Sequence, residues 1–321
     1  MHQQADMSRW QGRVDAAEGE LGKRWHQVVT PLEDAPGPGG VALVGFACDA
    51  GVARNHGRTG ARGGPAALRA MLGNMPVQRC RAIADAGDVV CVADGSDDGL
   101  ERAQQELADV VAGVLERGKL PVAMGGGHEI AFASFSGLAR HLAAREQAPR
   151  IGIINLDAHF DLRMAERGSS GTPFRQIAEQ CQARGWPFHY CVLGINEFGN
   201  TQALFERARA LGVRWMLDEE MHVAALDKIR ATLADFLAQV DHVYFTVCLD
   251  VLAAAIAPGV SAPSPRGIGL DVVDPVIDIV AGSGKLRLAD FAELNPGYDI
   301  DNRTARVAAR LLARIVERSN A

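Results

Sequence analysis

The 321-residue chain carries 48% hydrophobic and 22% charged residues at a mean hydropathy of -0.01, the balance of a globular protein, which excludes disorder and collagen-like repeats. Thirty-three Lys+Arg against 39 Asp+Glu leave a net charge of -6, and no basic tract follows a phosphate backbone, so nucleic acid is not an expected partner. Six scattered cysteines without a C-x-x-C pair, a first segment unlike a signal peptide and no apolar run near the roughly 18–20 residues of a membrane span predict a cytoplasmic protein with reduced thiols and no membrane role.

An N-terminal arm, 1–40, ends in a turn cluster from Ala35 to Gly40, and the remainder, 41–321, reads as one domain. A strand is predicted at 41–47 (VALVGFA), then helices at 65–73 and 100–118 and a strand at 121–124 (PVAM). A helix at 131–144, a strand at 151–156 (IGIINL), a helix at 174–184 and a strand at 190–194 follow. Helices at 201–211 and 222–240, strands at 242–249 (HVYFTVCL) and 286–292, and a helix at 304–318 complete the pattern. Strands apolar at consecutive positions are buried on both faces, so the expected fold is α/β: a three-layer sandwich with a mainly parallel sheet of about eight strands.

Ligands of parallel sheets sit beyond the carboxyl ends of the strands, and three strands here are followed by polar clusters. After PVAM, glycines 125–127 allow a tight turn that brings His128 back toward the sheet; a plain strand-to-helix turn with a surface histidine is the other reading. After IGIINL, Asp157, His159 and Asp161 alternate along an extended segment, so two carboxylates and an imidazole converge on one face. Such a cluster at a buried strand end calls for a counter-charge, which a divalent metal supplies. After HVYFTVCL comes Asp250, with Cys248 two residues earlier on the same face. A carboxylate-rich set with imidazole favours Mn²⁺ over thiolate-loving metals. Two ions about 3.5–4 Å apart can lower the pKa of a shared water, which is hydrolytic chemistry.

With these motifs the chain resembles the arginase–agmatinase–formiminoglutamase superfamily of binuclear manganese hydrolases from about residue 41 to 315. Its G-G-x-H and D-A-H-x-D motifs stand complete as Gly125–His128 and Asp157–Asp161, Glu293–Pro296 is similar to its E-x-N-P segment, and Asn55–Pro65 is similar to the stretch after its first strand. The resemblance implies that His128, Asp157 and Asp161 hold one Mn²⁺, and that Asp157, His159 and Asp250 hold the other. It further implies that Asp161 serves as general acid–base and that Glu293 meets the amidine or guanidine nitrogen of a small-molecule substrate. His128 and Glu293 count among the catalytic residues, and a homo-oligomer is expected. Glu129 after His128, the Ser169–Phe174 loop and the Ala257–Pro263 loop point to the formimidoylglutamase branch, and Arg163 suits a substrate carboxylate. Arg163 also reads as a surface residue with Glu166 for a neighbour.

The third motif, D-x-D, is altered: Cys248 stands where its first Asp bridges both metals. Cys248 reads either as a soft metal ligand or as a packing cysteine, and in the second case the site holding His159 is weakened. The two sites are therefore expected to differ in occupancy. Hydrolysis of another guanidino or amidino compound, of arginase or agmatinase type, and a metal-impaired non-catalytic paralogue are the alternatives.

Overall fold

The structure is a computed structural model that describes residues 1–80 and 82–319. Among the described residues the strands are β1 His2–Gln3, β2 Thr30–Pro31, β3 Val41–Ala47, β4 Ile83–Val90, β5 Leu120–Met124, β6 Ile151–Leu156, β7 His189–Ile195, β8 Arg214–Leu217, β9 His242–Cys248 and β10 Leu286–Ala292. The helices are α1 Ala50–Arg54, α2 Gly64–Gly73, α3 Leu100–Glu116, α4 Ile130–Ala143, α5 Pro173–Arg184, α6 Gln202–Ala210, α7 Leu226–Leu237, α8 Leu270–Ala281 and α9 Arg303–Arg318. They form one sheet in the order β1-β4-β3-β5-β10-β9-β6-β7-β8, with β2 also paired to β4. Only β1 runs antiparallel to its neighbour. The ten strands exceed the expected eight because two-residue pieces of the N-terminal segment join the sheet edge, too short to show a period in sequence.

Alternate strand residues face opposite ways, so Val41 and Leu43 join a core with α2, α7, α8 and α9, while Ala42, Val44 and Phe46 join one with α3, α4, α5 and α6. This is the three-layer α/β sandwich. Besides the short β1, β2, α1 and β8, two longer elements escaped the sequence pattern. In β4, Asp85, Gly87 and Asp88 interrupt the apolar run, yet the strand is buried because Arg69 of α2 reaches both carboxylates at 2.6–2.8 Å and Trp10 Nε1 donates to Asp85 at 2.7 Å. In α8, Pro275 lies inside the helix and hides its period. No described helix is long and apolar enough to cross a membrane.

Candidate metal centre

Four central strands, in the order β5-β10-β9-β6, deliver the polar residues to one edge of the sheet. β5 runs into the turn before His128, β6 into Asp157, β9 ends at Cys248 before Asp250, and β10 ends just before Glu293. The register pairs Leu156 with Val247 and Ala292 with Cys248, so the next residue of β6, Asp157, lies level with Cys248. The turn after β5 is tightly held: Gly125 N donates to Phe291 O (2.7 Å), Gly126 N to Phe46 O (2.8 Å) and Gly127 N to Cys48 O (3.1 Å). A Cβ on Gly126 would stand 1.5 Å from Cys48 O, so only glycine allows this approach.

His128 is buried, and its Nδ1 lies 3.0 Å from Asp157 Oδ2 and 2.9 Å from Asp161 Oδ2. That nitrogen has no hydrogen-bond partner. Short contacts without hydrogen-bond direction are what ligand atoms show when they aim at a common point rather than at each other. The opposite nitrogen, Nε2, pairs with Thr246 Oγ1 at 3.0 Å, and a proton on Nε2 leaves Nδ1 as an electron-pair donor. The ring meets Phe174 edge-on at 5.3 Å. Asp157 accepts from Asn155 Nδ2 (2.9 Å) and from the backbone of His159 (2.8 Å), while His159 Nδ1 lies 3.1 Å from Asp250 Oδ2.

Two groups of donor atoms lie within 4.8 Å of one another: His128, Asp157 and Cys248, and Asp157, His159 and Asp250. Asp157 belongs to both, as a residue shared by two ions must. An unpartnered buried imidazole nitrogen ringed by carboxylates therefore fits a pair of divalent cations. A third acidic group, Asp97, Asp98 and Glu101, is exposed and engaged by Arg54 and Arg167.

The electrostatics show how strongly negative the cluster is. Burial, and then the Asp157 charge, pushes Asp161 up to about 6. Burial with the charges of Glu129 and Asp250 pushes Glu293 up to about 8. Against the cost of burial, His128 and His159 hold Asp157 below the usual carboxylate range. Asp161 (φ 50°) and Glu293 (φ 71°) both have left-handed backbones, a conformation that costs about 1–3 kcal/mol and collects at functional sites.

A cavity of about 320 Å³ opens over the cluster, lined by His128, His159, Asp161, Cys248, Asp250 and Glu293. Glu293 Oε1 accepts from His128 N at 3.0 Å, and its buried Oε2 has no partner. Arg163 lines the same cavity from an exposed position, and among the described residues it pairs with neither Glu166 nor any other acid. Asn55, His56, Arg58, Ser170 and Ser261 also line it. The three loops singled out in sequence are tied together here: Arg58 Nε donates to Ser261 O (2.9 Å) and Asn55 Nδ2 to Ser170 Oγ (3.2 Å). Glu129 turns away from the cavity, accepting from Gly51 N at 2.9 Å. Asn155 and Thr246, which hold Asp157 and His128, were not singled out in sequence; their signal was a polar residue inside an otherwise apolar strand.

Fold and site together define an α/β protein with two overlapping groups of candidate metal donors at the carboxyl edge of its sheet. A family model described as the arginase family matches residues 39–317, and the chain belongs to that family. The formimidoylglutamase of Ralstonia nicotianae is 65% identical over 319 residues, covering 99% of this chain and 97% of the relative. That of Aeromonas hydrophila is 55% identical, covering 97% and 98%. The crystal structure of Trypanosoma cruzi formiminoglutamase with Mn²⁺ superposes with a TM-score of 0.74 at 26% identity, covering 86% of this chain and 92% of that one.

Proposed function

We propose that the chain is a manganese-dependent formimidoylglutamase, hydrolysing N-formimidoyl-L-glutamate to L-glutamate and formamide as a step of histidine breakdown. The observation that carries this reading is the cavity whose lining brings together most of the candidate metal ligands, Glu293 with its unpartnered oxygen, and Arg163. The full-length likeness to formimidoylglutamases supports it.

His128, Asp157 and Asp161 hold one ion in this reading, and Asp157, His159 and Asp250 the other, with Cys248 at their junction. When bound, the ions supply the Lewis acidity that makes water nucleophilic near neutral pH. Glu293 Oε2 receives an N–H of the cationic amidine and aligns its carbon with the cluster. Arg163 pairs with a substrate carboxylate, for which a guanidinium fork is shaped. Asp161 accepts a proton from the attacking water and delivers it to the glutamate nitrogen as the C–N bond breaks, leaving formamide and the free amine.

The test is a panel of formimidoylglutamate, arginine and agmatine, with formamide and urea measured on protein of known metal content. Formamide release from the first substrate is expected to dominate. Faster urea release from arginine or agmatine would overturn the assignment. So would an inactive Mn²⁺-loaded protein that Cys248→Asp makes active.

A further inference from the structure

The donor atoms divide the centre into two unlike halves. Asp157, His159 and Asp250 offer oxygen and nitrogen alone, whereas His128, Asp157 and Cys248 offer nitrogen, oxygen and sulfur within the same 4.8 Å. Cys248 is 1% exposed and lines the same cavity as Asp250 and Glu293. A cysteine that served only packing belongs among apolar side chains, and this one instead shares its surroundings with the acids. A second observation marks the same point: His128 Nδ1, in a side chain 1% exposed, faces the cluster with no hydrogen-bond partner.

Resting on the metallohydrolase reading above, we propose that Cys248 is a thiolate ligand that makes the His128 half of the centre selective for a borderline-soft divalent ion such as Zn²⁺, Fe²⁺ or Co²⁺, while the His159 half takes Mn²⁺. Thiolate is polarisable and strengthens binding of these ions far more than of Mn²⁺, which already stands lowest in the order of first-row divalent affinities. As the metal–sulfur bond forms, the S–H proton passes to solvent and the sulfur electron pair to the ion, with no change of oxidation state. With aspartate in this place both halves present hard donors, so one atom sets the difference between them.

Cobalt titration of the metal-stripped full-length protein, followed by absorption, tests this. A sulfur-to-cobalt charge-transfer band is expected to grow with the first equivalent, and to be missing in Cys248→Ser while the weaker ligand-field bands persist. Dialysis against mixed Zn²⁺ and Mn²⁺ is expected to leave both metals in the wild type, and Cys248→Asp to lower the Zn²⁺ preference by about tenfold or more. Should the variants fail to fold, X-ray absorption of the zinc-loaded wild type is expected to resolve a Zn–S distance of about 2.3 Å. Cobalt bound without the band, or zinc bound by nitrogen and oxygen alone, overturns the thiolate assignment and leaves the hydrolase reading standing. A charge-transfer band in a protein that hydrolyses no amidine overturns the hydrolase reading and leaves the thiolate assignment standing; failure to bind any divalent ion overturns both.

Discussion

Asp157, His159 and Asp161 follow one another just past β6, where the backbone bends instead of running extended, and the first two stay together because Asn155 and the backbone of His159 hold the Asp157 carboxylate between two imidazoles. Asp161 lies beside His128 on left-handed backbone, and the proposed mechanism gives it the proton transfer. Asp161→Asn is expected to lower kcat by ~10²–10⁴-fold, the span of a lost general acid–base; a fall of less than tenfold in metal-replete enzyme would assign proton transfer elsewhere. Arg163→Met removes the charge-assisted hydrogen bond proposed to a substrate carboxylate, worth about 1.5–3 kcal/mol. It is expected to lower kcat/KM for formimidoylglutamate by roughly 10–100-fold through KM, and an unchanged KM would return Arg163 to the surface. Thr246→Val leaves His128 Nε2 without its partner and is expected to weaken metal retention by about 10–100-fold, as loss of such supports does, measured by competition with a chelator. The acids were legible in the chain as a polar cluster directly after an apolar strand, whereas the extended alternation expected of them is not what the structure shows, since the backbone bends at residues 158–159 and turns left-handed at Asp161. Asn155 and Thr246 were not, because a polar residue within an apolar strand does not say which ligand it supports.

At the scale of elements, β4 shows what pattern reading misses. Asp85 and Asp88 make it look like a loop, but Arg69, 2% exposed, supplies their counter-charge from α2. Breaking such a buried pair from one side costs about 3–5 kcal/mol. Arg69→Ala is expected to destabilise by that amount in chemical denaturation, and a loss below 1 kcal/mol would show the acids to be solvated after all. Burial opposes the Asp85 charge, but the Arg69 hydrogen bonds and charge outweigh it and hold the carboxyl below its ordinary value. An acid depressed in the folded state stabilises above its unfolded pKa of about 3.9 and loses that contribution as pH falls below it. The Arg69→Ala deficit should therefore be full at neutral pH and shrink on acidification below about pH 4. The turn after β5 is the second such element. Gly126→Ala puts a methyl into Cys48 O and is expected to cost about 1–3 kcal/mol or more, lowering the melting temperature and metal content together. Loss of neither would show that the turn can shift.

For the whole molecule, the placement of the candidate ligands at the ends of adjacent central strands makes the sheet and the proposed metal centre one unit. Without cations, Asp161 and Glu293 are pushed up to about 6 and about 8 by burial and by neighbouring charge. Ions bound to the folded chain alone stabilise it by mass action, about 2.7 kcal/mol at a hundred times Kd. Removal of metal with a chelator is expected to lower the calorimetric melting temperature reversibly, and an unmoved transition would count against a metal centre at this edge. The N-terminal forty residues belong to the same construction at the far side of the sheet, where β1 pairs with β4 and Trp10 and Trp25 are buried.

By itself the sequence determined the layered α/β plan, since helical and extended periods are local properties, and it displayed the clusters carrying His128, Asp157–Asp161 and Asp250, while Glu293 was marked by the family resemblance alone. Only the tertiary structure decided that β4 is a strand, that Cys248 lies among the donors and that Arg163 opens on the cavity. Each of these depends on which distant side chain arrives to offset a buried charge or share a site, and sheet register, rather than any spacing along the chain, sets that meeting.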